Sequence, residues 1–286
     1  MSGPIPEWIV TAVVAVTVFT VMFGVGSSIA PGELRWIWQR PGPMVRGLFS
    51  GLVAVPAVAI VVTDALDLPR AVTIGIVLMS ISPGAPVALR RSLGAGGHHA
   101  FAPSLQISVA ALAVLSMPLS IAALNHVYAG QASVDPWDVA RQVFVAQLLP
   151  LGLGMGLRGL NAPLAARLEP RLAGIGTVLL VVTLVVVLID LWDVMVSASA
   201  LVLATILLVT VGALVVGHLL GGPEPATRTA VAITSAARNP GLALLVATVN
   251  NAPPPVIATV LAYLVVSVFA IVPYVAWRRR GAPARG

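Results

Sequence analysis

Nine apolar runs, each of the length that spans a bilayer, about 20 residues, set the strongest constraint on how this chain can fold. Only 9% of the residues are charged, far below the roughly one quarter that is typical of a soluble protein. In a bilayer the backbone must satisfy its own hydrogen bonds, so these runs are predicted to be transmembrane α-helices. The predicted spans are Trp8–Ala30, Met44–Thr63, Pro69–Leu93, Ala100–Ala122, Pro136–Leu157, Leu172–Trp192, Leu201–Leu220, Pro225–Val249 and Pro254–Trp277.

The arginines support this count and predict the orientation. If the N-terminus is outside and the spans alternate, thirteen of the sixteen arginines lie on the cytoplasmic side. Only Arg70 and Arg141 lie outside, and Arg238 falls within a span. Positive residues favour the cytoplasmic side of a membrane protein. We therefore expect a multi-pass protein of the inner membrane with its N-terminus outside and its C-terminus in the cytoplasm. The net charge of +6 then reflects topology, and no nucleic acid partner is expected.

Two spans carry a proline followed by a glycine, at Ser82-Pro83-Gly84 and at Asn239-Pro240-Gly241. Aligning these dipeptides places residues 70–76 over residues 227–233, so the third and eighth spans form a weak internal repeat. The two copies are five positions apart in the order of spans, and this odd offset means that they are expected in opposite orientations. Inverted repeats with broken helices at matching positions are typical of secondary transporters, and the breaks indicate the binding site.

A simple kink is the alternative explanation for each break taken alone, because proline removes a backbone hydrogen bond and glycine adds flexibility. Prolines are common in membrane helices, and Pro56 and Pro118 are predicted to be no more than kinks. The match between the two breaks favours a site over a kink.

Arg238 is the most informative single residue. It lies about 20 Å along the helix from Pro225, which places it near the bilayer centre. A charge there costs ~2.5–3.5 kcal/mol on insertion scales and is expected to face a partner or a cavity. Two interpretations stay open: its guanidinium binds the carboxylate or sulfonate of a substrate, or it is a fixed counter-charge for the carbonyl ends of the broken helices.

Other kinds of chemistry find little support in the sequence. No Asp or Glu lies deep in a span, so no carboxylate proton carrier and no acidic cation site is predicted. The chain has no cysteine, which excludes disulfides and thiol chemistry. No catalytic pattern occurs within a span, so neither an enzyme nor a cofactor is predicted. His98 and His99, at the cytoplasmic end of the fourth span, are either groups that titrate near neutral pH or solvated bystanders.

Several motifs resemble the bile acid:sodium symporter family over nearly the whole chain. The segment that begins Arg238-Asn239-Pro240-Gly241-Leu242-Ala243 resembles that family's Gln-Asn-Ser-Gly-Leu-Ala run. Ser82-Pro83-Gly84 resembles its Cys-Pro-Gly-Gly crossover region. Near the start of the chain, Met22-Phe23-Gly24-Val25-Gly26 and Arg40-Pro41 resemble the first characteristic stretch of the family.

The resemblance implies an all-α polytopic membrane fold. Nine transmembrane helices, as in members that lack the first helix of the ten-helix form, carry inverted repeats, and two discontinuous helices cross near the bilayer midplane. Residues 1–286 would form a single transporter unit. Its core domain would comprise about residues 69–122 and 201–277, and its panel domain about residues 8–63 and 136–192.

A substrate site is predicted where the two breaks cross, and the family's sodium ligands are mostly replaced. The predicted substrate-binding residues are Ser82, Pro83, Gln106, Thr234, Arg238, Asn239, Pro240 and Gly241. The positions that carry sodium ligands in the family are occupied here by Ala88, Leu89, Ala102, Gln106, Thr234 and Arg238. No metal site is therefore predicted, and the hypothesis is that Arg238 stands permanently in place of the bound cation.

These observations predict a secondary transporter of a small organic anion that works by alternating access and is not coupled to sodium. The lipid bilayer is the other expected partner. The alternative is a non-transporting membrane sensor or partner subunit that retains the transporter fold.

Overall fold

The computed structural model describes residues 7–29, 32, 39, 41–127, 134–190 and 199–280, and these residues form helices and short connections with no β-strand. The helices are α1 (Glu7–Ser28), α2 (Pro41–Ala65), α3 (Arg70–Ser80), α4 (Pro86–Gly94), α5 (Phe101–Val127), α6 (Pro136–Leu160), α7 (Ala162–Asp190), α8 (Ala200–Leu220), α9 (Pro225–Ala236), α10 (Pro240–Val249) and α11 (Pro254–Arg280).

The described residues contain seven stretches that are long and apolar enough to cross a membrane. They are α1, α2, α5, α6, α8, the stretch from α9 through α10, and α11, and each coincides with a predicted span. The chain is therefore an all-α, polytopic membrane protein. The third predicted span is divided between α3 and α4, and most of the sixth lies within α7, so the count of nine stays a prediction.

Two of the long helices contain a π-helical segment, and a proline follows each segment by the same spacing. In α2 the segment is Ser50–Ala54 and the proline is Pro56; in α6 it is Phe144–Leu148 and the proline is Pro150. A proline within a helix lacks an N–H and clashes with the carbonyl four residues before it. A π-helical turn, with its i→i−5 hydrogen bonds, moves that carbonyl aside without ending the helix.

Two compact units make up the chain, and each is assembled from separate stretches of sequence. The first comprises Met1–Gly32, Ala110–Ser197 and Pro240–Leu261, and the second comprises Glu33–Val109, Ala198–Asn239 and Ala262–Gly286. The division into core and panel domains, which follows different boundaries, stays a prediction.

In the first unit, α1 packs against α6 and α7. Gly26 of α1 and Gly154 of α6 bring two backbones together, because a Cβ atom on either residue would collide with backbone atoms of the opposite helix. The hydroxyls of Thr17 and Thr183 share a hydrogen bond of 3.0 Å between α1 and α7. Small residues and interhelical hydrogen bonds of this kind stabilise helix contacts in a membrane.

In the second unit, α9 is the central element and is buried along almost its entire length. One apolar cluster on it joins Val55 of α2, Leu214 of α8 and Ile271 of α11 with Ala88 of α4. A second cluster on it joins residues of α2, α4 and α5. The polar side chains of α9 are consequently held within protein and away from the surface.

Candidate functional site

The first break in the chain separates α3 from α4 and includes the predicted residues Ser82 and Pro83. The α-helix ends at Ser80, Gly84 has a φ of +83°, and α4 begins at Pro86. A positive φ is costly for residues with a side chain, so this turn requires glycine. The Ser82 hydroxyl donates to the Leu78 carbonyl at 2.7 Å, which satisfies one carbonyl at the end of α3.

The second break separates α9 from α10. The last helical residue of α9 is Ala236, Ala237 is extended with φ −81° and ψ 98°, and α10 begins at Pro240. Proline restricts the residue before it to extended conformations, and in a helix its ring clashes with the carbonyl four residues back, which here is that of Ala236. Together these effects are consistent with the end of α9 at Ala236.

The structure brings three of the predicted site residues together at these breaks. The Asn239 N–H donates to the Ser82 carbonyl at 2.9 Å, and so joins one break to the other. The Gln106 amide, on α5, donates through Nε2 to the Ala85 carbonyl at 3.1 Å. All three side chains are buried. The contact of Asn239 with Ser82 pairs two backbone groups of the interrupted helices, and the Gln106 amide is a second donor to the Ala85 carbonyl, which also accepts the Ala88 N–H.

The remaining predicted residues lie on either side of the second break. Thr234 is buried on the last turn of α9. Pro240 and Gly241 begin α10; Pro240 is buried and Gly241 is partly exposed. Pro83 is buried within the first break.

Arg238 lies within the second break and is only 3% exposed. Its Nη2 donates to the Gly51 carbonyl at 2.8 Å. Its Nε and Nη1 atoms are buried and have no hydrogen-bond partner among the described residues. A guanidinium has five N–H donors, so most of the donors of this buried cation are left for another acceptor.

The acceptor of Arg238 results from the π segment of α2. Within that segment the Val55 N–H donates to the Ser50 carbonyl, five residues back. In the same register the next donor, for the Gly51 carbonyl, would be residue 56, which is proline and has no N–H. Pro56 was expected to be a simple kink. Its position also leaves the Gly51 carbonyl without a main-chain donor in this register, and Arg238 donates to that carbonyl.

Two further residues beside Arg238 were not identified from the sequence. Ser50, in the π segment, shares a hydrogen bond of 2.8 Å with Ser235 of α9, one helical turn before Arg238. Tyr263 of α11 is fully buried and interacts electrostatically with Arg238. Pro56 was the only signal in the sequence for the role of the Gly51 carbonyl. No local sequence pattern indicates Tyr263.

Three of the six residues at the family's sodium positions belong to apolar clusters or pack against one. Ala88 lies in a cluster that also contains Ala85, which belongs to the first break, and Ala237, which belongs to the second. Ala102 lies in the cluster between α2, α5 and α9, and Leu89 packs against that cluster. Side chains without oxygen cannot supply the hard ligands that a sodium ion requires.

His98, one of the two histidines considered above, has a structural role. Its Nδ1 accepts hydrogen bonds of 3.2 Å from the N–H groups of Ala100 and Phe101 at the start of α5. A side-chain acceptor at this position caps the helix N-terminus. His99 is exposed beside it.

Comparison with protein families gives one match. A model of the Sodium Bile acid symporter family matches residues 15–198, which is more than half of the chain and includes the first break. The match ends before α8, so Arg238 and the second break lie outside it. No curated protein matches the chain significantly.

Proposed function

The chain belongs to the sodium bile acid symporter family, and from this we propose that it is a secondary transporter of a small organic anion, works by alternating access and does not couple to sodium. We place it in the inner membrane with its N-terminus outside. The proposed protein has nine spans. Two of them, α3–α4 and α9–α10, are discontinuous and form the binding region.

The observation that carries this proposal is the unsatisfied guanidinium of Arg238. No carboxylate among the described residues contacts it, and a neutral carbonyl is its single hydrogen-bond acceptor there. A buried cation with spare donors is costly unless an anion pairs with it. A carboxylate or sulfonate presents the oxygens that the fork of a guanidinium binds best.

The charge of Arg238 also explains how the protein dispenses with sodium. Both α3 and α9 end at the breaks, and a helix C-terminus carries about half a negative charge. Apolar residues occupy three of the positions that would coordinate a cation there. In the proposed mechanism the guanidinium supplies the positive charge permanently and leaves its Nε and Nη1 donors for the substrate anion.

Thermal unfolding of the purified protein tests the proposal. The probes are lactate, succinate, benzoate, methanesulfonate and cholate, each with sodium or choline as the cation at constant ionic strength. A ligand at about 100 times its Kd stabilises a protein by about 2.7 kcal/mol. We expect at least one anion to raise the Tm equally with either cation, and Arg238→Gln to abolish that rise while Arg141→Gln, an exposed arginine, leaves it intact.

Flux measurements distinguish a carrier from the non-transporting alternative. An anion that stabilises the protein should also exchange across proteoliposomes in the absence of sodium. Binding without flux would favour a sensor or partner subunit. A rise in Tm or flux that depends steeply on sodium would overturn the substitution of Arg238 for the cation.

A further inference from the structure

An apolar groove with a volume of about 930 Å³ runs between α8 and α11 in the second unit. Residues 203–219 of α8 and 265–277 of α11 line it. Leu214, one of the lining residues, belongs to the buried cluster of the second unit, so the groove lies directly against that cluster. Phe269 on its rim is 71% exposed, so the described part of the chain does not cover this face.

One end of the groove, which we call its mouth, is polar and aromatic. There His218 Nδ1 and the Tyr274 hydroxyl share a hydrogen bond of 2.9 Å. The Trp277 ring lies 5.5 Å from the His218 ring and 5.6 Å from the Tyr274 ring, measured between centroids. Aromatic rings with polar atoms are enriched at the boundary between hydrocarbon and headgroups.

The mouth is also positively charged. The Arg278 guanidinium lies 5.2 Å from the Trp277 ring centroid and is fixed by hydrogen bonds to the Thr229 hydroxyl and the Pro225 carbonyl. Arg228 and Arg278 both interact electrostatically with His218, and Arg279 and Arg280 follow at the end of α11. Arg278 keeps N–H donors beyond the two that these bonds use.

The groove is longer than one leaflet is thick. Residues 203–219 of α8 extend over about 24 Å, compared with about 15 Å for half of the hydrocarbon core of a bilayer. An acyl chain therefore has room along the groove while its headgroup lies at the mouth. Basic pockets between membrane helices on the cytoplasmic side bind anionic headgroups.

We propose that the groove between α8 and α11 binds one anionic phospholipid from the leaflet on the side of the C-terminal arginines. An acyl chain fills the apolar length, and the phosphate accepts hydrogen bonds from Arg278 and from whichever of His218 and Tyr274 keeps a donor beyond their shared hydrogen bond. This site depends on the membrane setting but not on the anion proposed at Arg238, so either proposal can fail without the other.

Native mass spectrometry of the full chain in detergent tests the acyl site. The probes are phosphatidylglycerol and phosphatidylcholine with identical acyl chains. We expect one phosphatidylglycerol to be retained, and Ala204→Phe, which places a ring in the groove, to reduce that retention at least fivefold. Ala12→Phe, at an exposed alanine of α1, is the matched control and should retain the lipid. Ala270→Leu fills the groove from α11 and replaces Ala204→Phe if that variant does not fold.

A second pair of variants tests the headgroup. Arg278→Gln should lower the retention of phosphatidylglycerol relative to phosphatidylcholine by about fivefold, as expected for one lost positive charge near a membrane surface. Arg171→Gln, at an exposed arginine of α7, should leave the preference unchanged. Equal retention of both lipids by the wild-type protein would overturn the proposal. So would undiminished retention in Ala204→Phe, or a dimer whose formation that variant abolishes, since a second copy would then occupy the groove.

Discussion

At the scale of single residues, Pro56 and Arg238 act on the same carbonyl oxygen. Pro56 has no N–H to offer Gly51, and Arg238 supplies the missing donor at 2.8 Å. Hydrogen bonds from charged donors contribute about 1.5–3 kcal/mol, more than those from neutral donors. The position of the guanidinium therefore depends on a proline far from it in sequence.

Restoring an amide at position 56 should loosen Arg238. In Pro56→Ala the new N–H can donate within α2 and compete for the Gly51 carbonyl, so we expect the anion-induced rise in Tm to fall. Pro150→Ala is a matched control, because Pro150 follows the π segment of α6 by the same spacing. Thermal shifts of both variants with the stabilising anion provide the measurement. Equal losses in the two variants would show that the proline acts on helix stability alone.

At the scale of helices, the contact between α1 and α6 depends on glycine at specific positions. A Cβ at Gly154 would collide with the backbone of Phe23 and Ser27, and backbone atoms cannot move aside as a flexible side chain can. Overpacking of this kind costs about 1–3 kcal/mol. Neither Gly152 nor Gly156, on the same helix, has an atom within 4 Å of an added Cβ.

We therefore expect Gly154→Ala to lower the Tm of the purified protein. Gly152→Ala should leave it unchanged or raise it, because alanine in a helix is favoured over glycine by about 1 kcal/mol. Unfolding followed by circular dichroism in detergent compares the two. An unchanged Tm for Gly154→Ala would mean that the two helices separate easily and that their close contact contributes little stability.

The helices also show what a single sequence can and cannot predict. Hydropathy identifies α1, α5 and α8 because bilayer length and apolar composition determine them. It misses the first ten residues of α7, where polar residues such as Glu169 lower the local hydropathy although the backbone is helical. Prolines indicated interruptions near Pro83 and Pro240, and α3 and α9 end within a few residues of them.

The environment of Arg238 could not be derived in the same way. Its acceptor is a main-chain carbonyl 187 residues away, and although Pro56 indicates a carbonyl that lacks its usual donor, nothing in the sequence pairs that carbonyl with Arg238. The burial of Tyr263 likewise depends on tertiary packing. The substrate site itself stays a prediction, although Ser82, Gln106 and Asn239 meet at the breaks.

At the scale of the whole molecule, the distribution of arginine predicts the orientation, and the absence of cysteine makes it easy to test. Asp67, between α2 and α3, is exposed and is predicted to lie outside, whereas exposed His99, before α5, is predicted to face the cytoplasm. We expect a membrane-impermeant maleimide to label Asp67→Cys in intact cells, and His99→Cys only after permeabilisation. The unsubstituted chain has no thiol and serves as the background. Labelling of His99→Cys in intact cells, and of Asp67→Cys only after permeabilisation, would show that the predicted orientation is wrong.

The buried arginine also determines where a membrane voltage acts on the proposed carrier. Arginine stays protonated in proteins, so an empty site carries one positive charge and a site that holds a monovalent anion is neutral. A potential of 100 mV does about 2.3 kcal/mol of work on each charge that crosses the whole field. The loaded protein then reorients without electrical work at this site, and the voltage drives only the return of the empty one. Fixing the charge in the chain thus moves the voltage-sensitive step from the loaded half of the cycle to the empty half.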